Sequence, residues 1–379
     1  MNKDWVKNEF RDIAIRDERL VKRLIKTVES LSGNSEASIP QAINKPKDIK
    51  AAYRLIDNNR VQTEAIMDAH REKTIERIKS YDTVLIQDTT TIDFSNHPGI
   101  KEIGINGVFD SCKGYLMHSA LAITTKGVPL GILSKDIWTR DPEEKGKSKN
   151  RHKYKTNEKE SNKWLKALTE STSNIPDGIK TVTVCDRESD IYDFFYHAKL
   201  ERKDFLVRAA KQRKVYEEIE SKEAAGEVII NVPRNTRENY PSRQAILSIK
   251  YSSITLLPPQ RKKNFKGKPS LELYALLVKE KYPPKGIKPI EWFLITSIPV
   301  LSFEEALEKV QWYKERWKIE RFHYILKSGC KIENLQFDTF ERTDKTISLY
   351  VAIAWRILWL DNHLYLCHND KMNDYCCTL

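Results

Sequence analysis

Residues 181–186 read Thr181-Val182-Thr183-Val184-Cys185-Asp186, an uncharged, β-branched run that ends abruptly on an acid. Such a run, too short for a helix and rich in Val and Thr, spells a buried strand. On its N-terminal side, Glu158 to Ser171 has helical character; on its C-terminal side a helix from about Ile191 to Leu200 leads to a further strand, Asp204 to Val207. Further upstream lie Tyr81-Asp82-Thr83-Val84-Leu85-Ile86-Gln87, another buried strand, and the runs Leu116 to Thr124 and Gly127 to Leu133, close enough to pair as a hairpin. Three strands, helix, strand, helix, strand predicts an α/β domain, a mixed sheet with helices packed on it.

Beyond this centre the pattern changes twice. Residues 1–75 read as helices and turns, with Trp5, Val6, Phe10, Ile13 and then Leu20, Leu24, Ile25, Val28, Leu31 at helical spacing, and a third helix at Ile49 to Asp57. A small packing or dimerising cap satisfies that pattern. From about 213 to 300 the chain is expected to be all-β: Val228 to Ile230, Ala245 to Lys250, Ser253 to Leu257, Leu271 to Val278 and Trp292 to Thr296. The block reads as an insertion, because helices resume at once, a long one over 303–329 and another over 343–361. Arg140 to Lys155 is polar and doubly charged, an expected surface loop. The expected domains are therefore a helical unit over 1–75, an α/β unit over 76–361 that contains the β-rich insertion, and a short tail over 362–379.

The chain has 65 Lys and Arg against 53 Asp and Glu, a net charge of +12 and a pI near 9.2. That excess favours a polyanionic partner, because cations that neutralise phosphates release condensed counterions. No secretory signal pattern opens the sequence, and the most apolar late stretch, Leu349 to Leu360, is too short to span a bilayer and contains Arg356. The six cysteines form no CxxC pair and no finger spacing with histidine, which fits a reducing, cytoplasmic setting. Neither a glycine-rich dinucleotide fingerprint nor a Walker loop is present, which argues against nucleotide cofactors.

Three acids stand where structure would bring them together. Asp88 is expected to close the first strand and Asp186 the fourth, and carboxyl ends of neighbouring strands are where open α/β sheets build their sites. Two carboxylates there would repel unless a cation neutralised them, and Mg²⁺ or Mn²⁺ takes oxygen ligands of this kind. Either Asp alone is equally a turn or capping residue. Glu320 lies on the expected 303–329 helix, with Tyr313, Arg316 and Lys327 predicted to project from the same face. A solvated, salt-bridged face with Arg316 and Glu320 paired at i,i+4 meets the same spacing.

The spacing Tyr313-x2-Arg316-x3-Glu320-x6-Lys327 resembles the Y-R-E-K signature of the IS-four insertion-sequence family, in its Tn-five-type branch. Gln87-Asp88-Thr89-Thr90-Thr91, Val184-Cys185-Asp186-Arg187-Glu188-Ser189-Asp190-Ile191 and Arg316-Trp317-Lys318-Ile319-Glu320-Arg321-Phe322-His323 are similar to its three acidic motifs, Trp292-Phe293-Leu294-Ile295-Thr296-Ser297 to the strand closing its β-insertion, and Asp17 to Leu20 through Tyr53 to Ile56 to its end-recognition domain. The resemblance implies an RNase H-like DDE transposase that nicks transposon ends, forms and reopens a hairpin, and joins the ends to target DNA. Asp88, Asp186 and Glu320 would be catalytic and would hold two divalent ions. Tyr313, Arg316 and Lys327 would grip end phosphates, and Trp292 would stack on a flipped base, a buried strand aromatic being the alternative. Arg208, Lys211 and Arg213 are expected along the DNA channel, or on a solvated edge. Arg19, Arg23 and Lys26 recur on one side of the second helix as candidate contacts to terminal inverted repeats. The run Arg261 to Lys268 is a further candidate phosphate-tracking loop, or a charged hairpin tip. The implied partners are double-stranded DNA and a second subunit in the paired-end complex, with no membrane, in a bacterial cytoplasm at the nucleoid. The family's helical pairing region has no counterpart in 362–379, so an end-binding or inhibitory transposase without full activity is the alternative reading.

Overall fold

The structure, a computed structural model, describes residues 4–79, 82–97, 99–100, 103–106, 112–140, 159–210, 214–232, 234, 240–259 and 267–369. They divide into two compact units: the first comprises residues 1–149, 169–180 and 317–379, the second residues 150–168 and 181–316.

The first unit opens with helices α1 (Asp4–Phe10), α2 (Glu18–Gly33), α3 (Ile39–Ile43), α4 (Pro46–Ile56) and α5 (Thr63–Ile78). Local chemistry sets their starts. The Asp17 carboxylate accepts from the Arg19 N–H at 3.0 Å to cap α2, and Pro46 supplies a preset φ at the head of α4. Strands β1 (Thr83–Asp93), β2 (Gly114–Thr124) and β3 (Pro129–Trp138) form an antiparallel sheet with β2 in the middle. β2 is buried along its whole length, which explains its largely apolar run. The hairpin expected between β2 and β3 is present and turns through Gly127 at φ 86°. On β3, Gly131 lets Thr74 of α5 approach too closely for any Cβ. Later in the chain, α10 (Trp317–Tyr324) packs against β1 and α11 (Phe340–Asn369) against β3.

The second unit contains β4 (Thr181–Cys185), α7 (Tyr192–Leu200) and β5 (Asp204–Arg208), with β4 and β5 parallel as a strand–helix–strand unit requires. α6 (Asn162–Thr172) precedes them, its first part in this unit. Antiparallel strands β6 (Gly226–Val232), β7 (Arg243–Leu256), β8 (Leu271–Glu280) and β9 (Glu291–Thr296) extend the sheet in the order β4-β5-β9-β8-β7-β6. Phe194, Phe195, Phe205, Leu273 and Ile295 anchor a core between α7 and this sheet. α9 (Phe303–Lys314) begins at Ser302, whose hydroxyl accepts from the Glu305 N–H at 3.2 Å. The succession of elements is that of an RNase H-like α/β domain with an inserted β-rich block and an N-terminal helical region.

Several expectations are corrected. β1 does not close at Asp88 but pairs with β2 as far as Asp93, so Asp88 sits mid-strand where burial gives way to partial exposure. The β-rich block begins with a helix, α8 (Lys214–Glu220), and the two strands expected over 245–257 are one continuous strand, β7. The helix expected over 303–329 is broken. Glu315 and Arg316 donate i→i−3 to the carbonyls of Trp312 and Tyr313, and after Tyr324 the chain widens into a π turn over Ile325–Gly329. The regular 100° steps from which one face for Tyr313, Arg316, Glu320 and Lys327 is expected are therefore interrupted between Lys314 and Trp317 and again after Tyr324.

Candidate functional site

In the first unit, Asp88 and Ser119 are direct cross-strand partners, so their side chains share one face of the sheet. The Ser119 hydroxyl meets His323 Nε2 of α10 at 2.8 Å. Glu320 lies one turn before His323 on that helix and is exposed. α10 is thus pinned on the strand face that carries Asp88, with Glu320 at its accessible side. The Asp88 carboxylate accepts from the N–H of Thr89 at 2.8 Å. Burial, reinforced by the Lys327 charge, holds His323 down at about 3, so the imidazole is neutral.

Lys327 pairs with Glu333 at 3.3 Å, and the same Glu333 oxygen accepts from the Asp93 N–H at 2.9 Å. The ammonium is therefore held at the end of β1, five residues beyond Asp88.

In the second unit, Asp186 is the first residue after β4 and caps the short turn Arg187–Ser189, accepting from the Glu188 N–H at 2.8 Å. Burial pushes its carboxyl up, and the Glu188 charge adds to this against the pull of the Glu188 N–H, Arg316 and Lys163. Lys163, on α6, also pairs with Glu188 at 3.0 Å. Tyr313 is buried, with its ring edge-on to half-buried Trp292 at 5.2 Å between centroids. Arg208 ends β5 and donates to the Glu291 carbonyl at 2.9 Å, next to Trp292. Lys211 and Arg213 lie outside the described residues, as does most of the 261–268 run.

Among the helices of the first unit, Arg19 is exposed, whereas Arg23 and Lys26 both reach Asp48 of α4, at 3.1 and 2.9 Å. Their shared side is real, but it is also an intramolecular ion pair.

Among the described residues no group of three or more His, Cys, Asp or Glu side chains is gathered to hold a metal ion. Asp88 and Glu320 belong to one unit and Asp186 to the other. The donor chemistry nevertheless suits a hard divalent cation. All three candidate ligands are carboxylates, and Asp186 is desolvated beside a second negative charge, an environment that a cation relieves.

The sequence singles out neither Ser119 nor Lys163, and it offers Glu188 only within the Asp186 motif. Ser119 sits inside an apolar strand, and only the strand register reveals that it opposes Asp88.

No helix among the described residues is long and apolar enough to cross a membrane. A solved structure titled as the piggyBac transposase synaptic complex with hairpin DNA aligns with 98% of this chain and 71% of its own, at 9% identity and a TM-score of 0.35. Residues 2–61 match the model of the Transposase DNA-binding family. Residues 143–356, more than half of the chain, match that of the Transposase DDE domain, and the protein therefore belongs to the DDE transposase family, enzymes that act on DNA and depend on divalent metal.

Proposed function

We propose that this protein is a cut-and-paste transposase of the IS-four family, Tn-five type, in which Asp88, Asp186 and Glu320 are the catalytic carboxylates. The reading is supported above all by the first unit, where the Ser119–His323 bond pins the helix of Glu320 on the strand face of Asp88. These three residues would hold two divalent ions, Mg²⁺ or Mn²⁺, which when bound neutralise the reacting phosphate and activate the attacking and leaving oxygens.

The other candidate residues act on the DNA itself. Arg316 and Lys327 would grip end phosphates, with Arg316 also balancing Asp186. Tyr313 would contribute through its hydroxyl while its ring supports Trp292. A half-buried Trp292, backed by Tyr313 and beside anchored Arg208, suits a base turned out of the duplex, which needs an aromatic stacking partner. The N-terminal helices would read the terminal repeats, with Arg19, Arg23 and Lys26 as phosphate contacts; two subunits would pair the ends before joining them to target DNA.

The test is incubation of a labelled duplex bearing the element's terminal repeat with the protein and Mg²⁺, resolved on a denaturing gel. A nick followed by a hairpin running at double length is the expected result. Nicking with no hairpin contradicts the Tn-five-type chemistry, and retarded but uncut DNA supports an end-binding transposase instead.

A further inference from the structure

Strand β2 is buried from end to end, yet its centre carries the polar pair His118-Ser119. A buried imidazole or hydroxyl costs free energy unless it is bonded, and an apolar pair would satisfy the same strand. Adjacent strand residues point to opposite faces, so this dipeptide reaches both sides of the sheet.

On one face, Ser119 opposes Asp88 and its hydroxyl meets His323 of α10 at 2.8 Å. On the other, His118 opposes Thr89. Its Nδ1 lies 2.9 Å from the Thr89 hydroxyl and its Nε2 3.3 Å from the Gln87 side-chain oxygen. Thr89 and Gln87 are the two residues that flank Asp88. The imidazole thus ties the two β1 side chains that flank Asp88, while the neighbouring hydroxyl fastens the helix that carries Glu320.

We propose that His118 and Ser119 are positioning residues that together set the separation of the Asp88 and Glu320 carboxylates, one acting from each face of the sheet. The proposal rests on the reading that these two carboxylates bind divalent metal. Neither residue touches DNA or metal in this role. Each acts through a residue next to, or one turn from, a ligand, as the outer partners of metal ligands do elsewhere.

The experiment measures Mn²⁺ binding to the full chain by electron paramagnetic resonance of the free ion, alongside end-duplex binding by gel retardation. Ser119→Ala and Thr89→Val, which loosen opposite faces, are each expected to weaken Mn²⁺ binding about 10- to 100-fold with duplex retardation unchanged. Ser119→Thr, which keeps the hydroxyl, is expected to restore it. Asp88→Asn serves as the reference. If it loses Mn²⁺ while Ser119→Ala and Thr89→Val bind as wild type does, the positioning role is overturned and the metal site stands. If Asp88→Asn itself binds Mn²⁺ normally, the metal reading fails and the positioning role falls with it.

Discussion

Replacing Glu9 by Gln should destabilise the first unit measurably. Glu9 of α1 is 3% exposed. Arg77 donates to both its oxygens, at 2.9 and 3.1 Å, and His70 Nδ1 lies 2.5 Å from one of them. Arg77 also donates to the Leu130 carbonyl and His70 Nε2 accepts from the Ile132 N–H, so the cluster ties α1 to α5 and to β3. Burial alone would raise the Glu9 carboxyl, but His70 and Arg77 outweigh it and hold it at about 2 against an ordinary 4.5. Taken whole, that shift corresponds to about 3 kcal/mol. His70 is itself driven down by burial, so near pH 7 it is neutral and serves Glu9 as a hydrogen-bond donor, leaving the positive charge to Arg77. Part of that shift rests on a charged His70, so the cost of Glu9→Gln is set instead by the charge-assisted bonds from Arg77 that the amide weakens, on the order of 2 kcal/mol. For a unit of this size that lowers the melting temperature by about 4–8 °C. Because the folded pKa is depressed, the contribution is full above about 4.5 and is lost as the pH falls toward 2. Calorimetric scans of both proteins at pH 7 and at several steps below 4.5 measure it. A variant that melts with the wild type at pH 7, or a gap that does not narrow on acidification, refutes the reasoning.

Four further outcomes follow. Lys345 is buried on α11 and donates to the Ile56 and Asn58 carbonyls at 2.8 and 3.2 Å, so Lys345→Ala should strand both and lower stability by about 1–3 kcal/mol in denaturant titration. Gly131→Ala would drive a Cβ into Thr74 and should destabilise by a similar amount, about 1–3 kcal/mol, in the same titration. The Asp186 carboxyl is raised by burial, so its ionised form opposes folding above that raised pKa. Asp186→Asn should therefore melt higher than wild type at pH 7 without metal, while losing all cleavage, with the melting gain vanishing at low pH. Arg19→Ala should reduce the salt dependence of end-duplex binding by about one unit of slope, measured by titration across salt concentrations.

Much of the fold was legible because its strongest signals are local. The β-branched run ending at Asp186, the helices around it and the hairpin of β2 and β3 all follow from period and turn chemistry. The failures are non-local. Thr89-Thr90-Thr91 reads as a polar stop, but partners on β2 recruit these β-branched residues into the strand and leave Asp88 in its middle. The break after Lys314 carries no Pro or Gly to announce it, so spacing alone suggested a continuous face for Tyr313, Arg316, Glu320 and Lys327. Asp48, which occupies Arg23 and Lys26, lies on a different helix, and no pattern on α2 could reveal it. Ser119 and His118 matter only through register, a property of paired strands that neither strand carries by itself.

Metal-centred cleavage is tested most directly by one experiment on a labelled terminal-repeat duplex. Wild type, Asp88→Asn, Asp186→Asn and Glu320→Gln are compared in Mg²⁺, in Mn²⁺ and in chelator. Cutting by the wild type alone, only with divalent metal, and with all four proteins retarding the duplex equally, is the predicted result. Cutting that persists in chelator, or in any of the three variants, would contradict the assignment of these carboxylates as the catalytic triad.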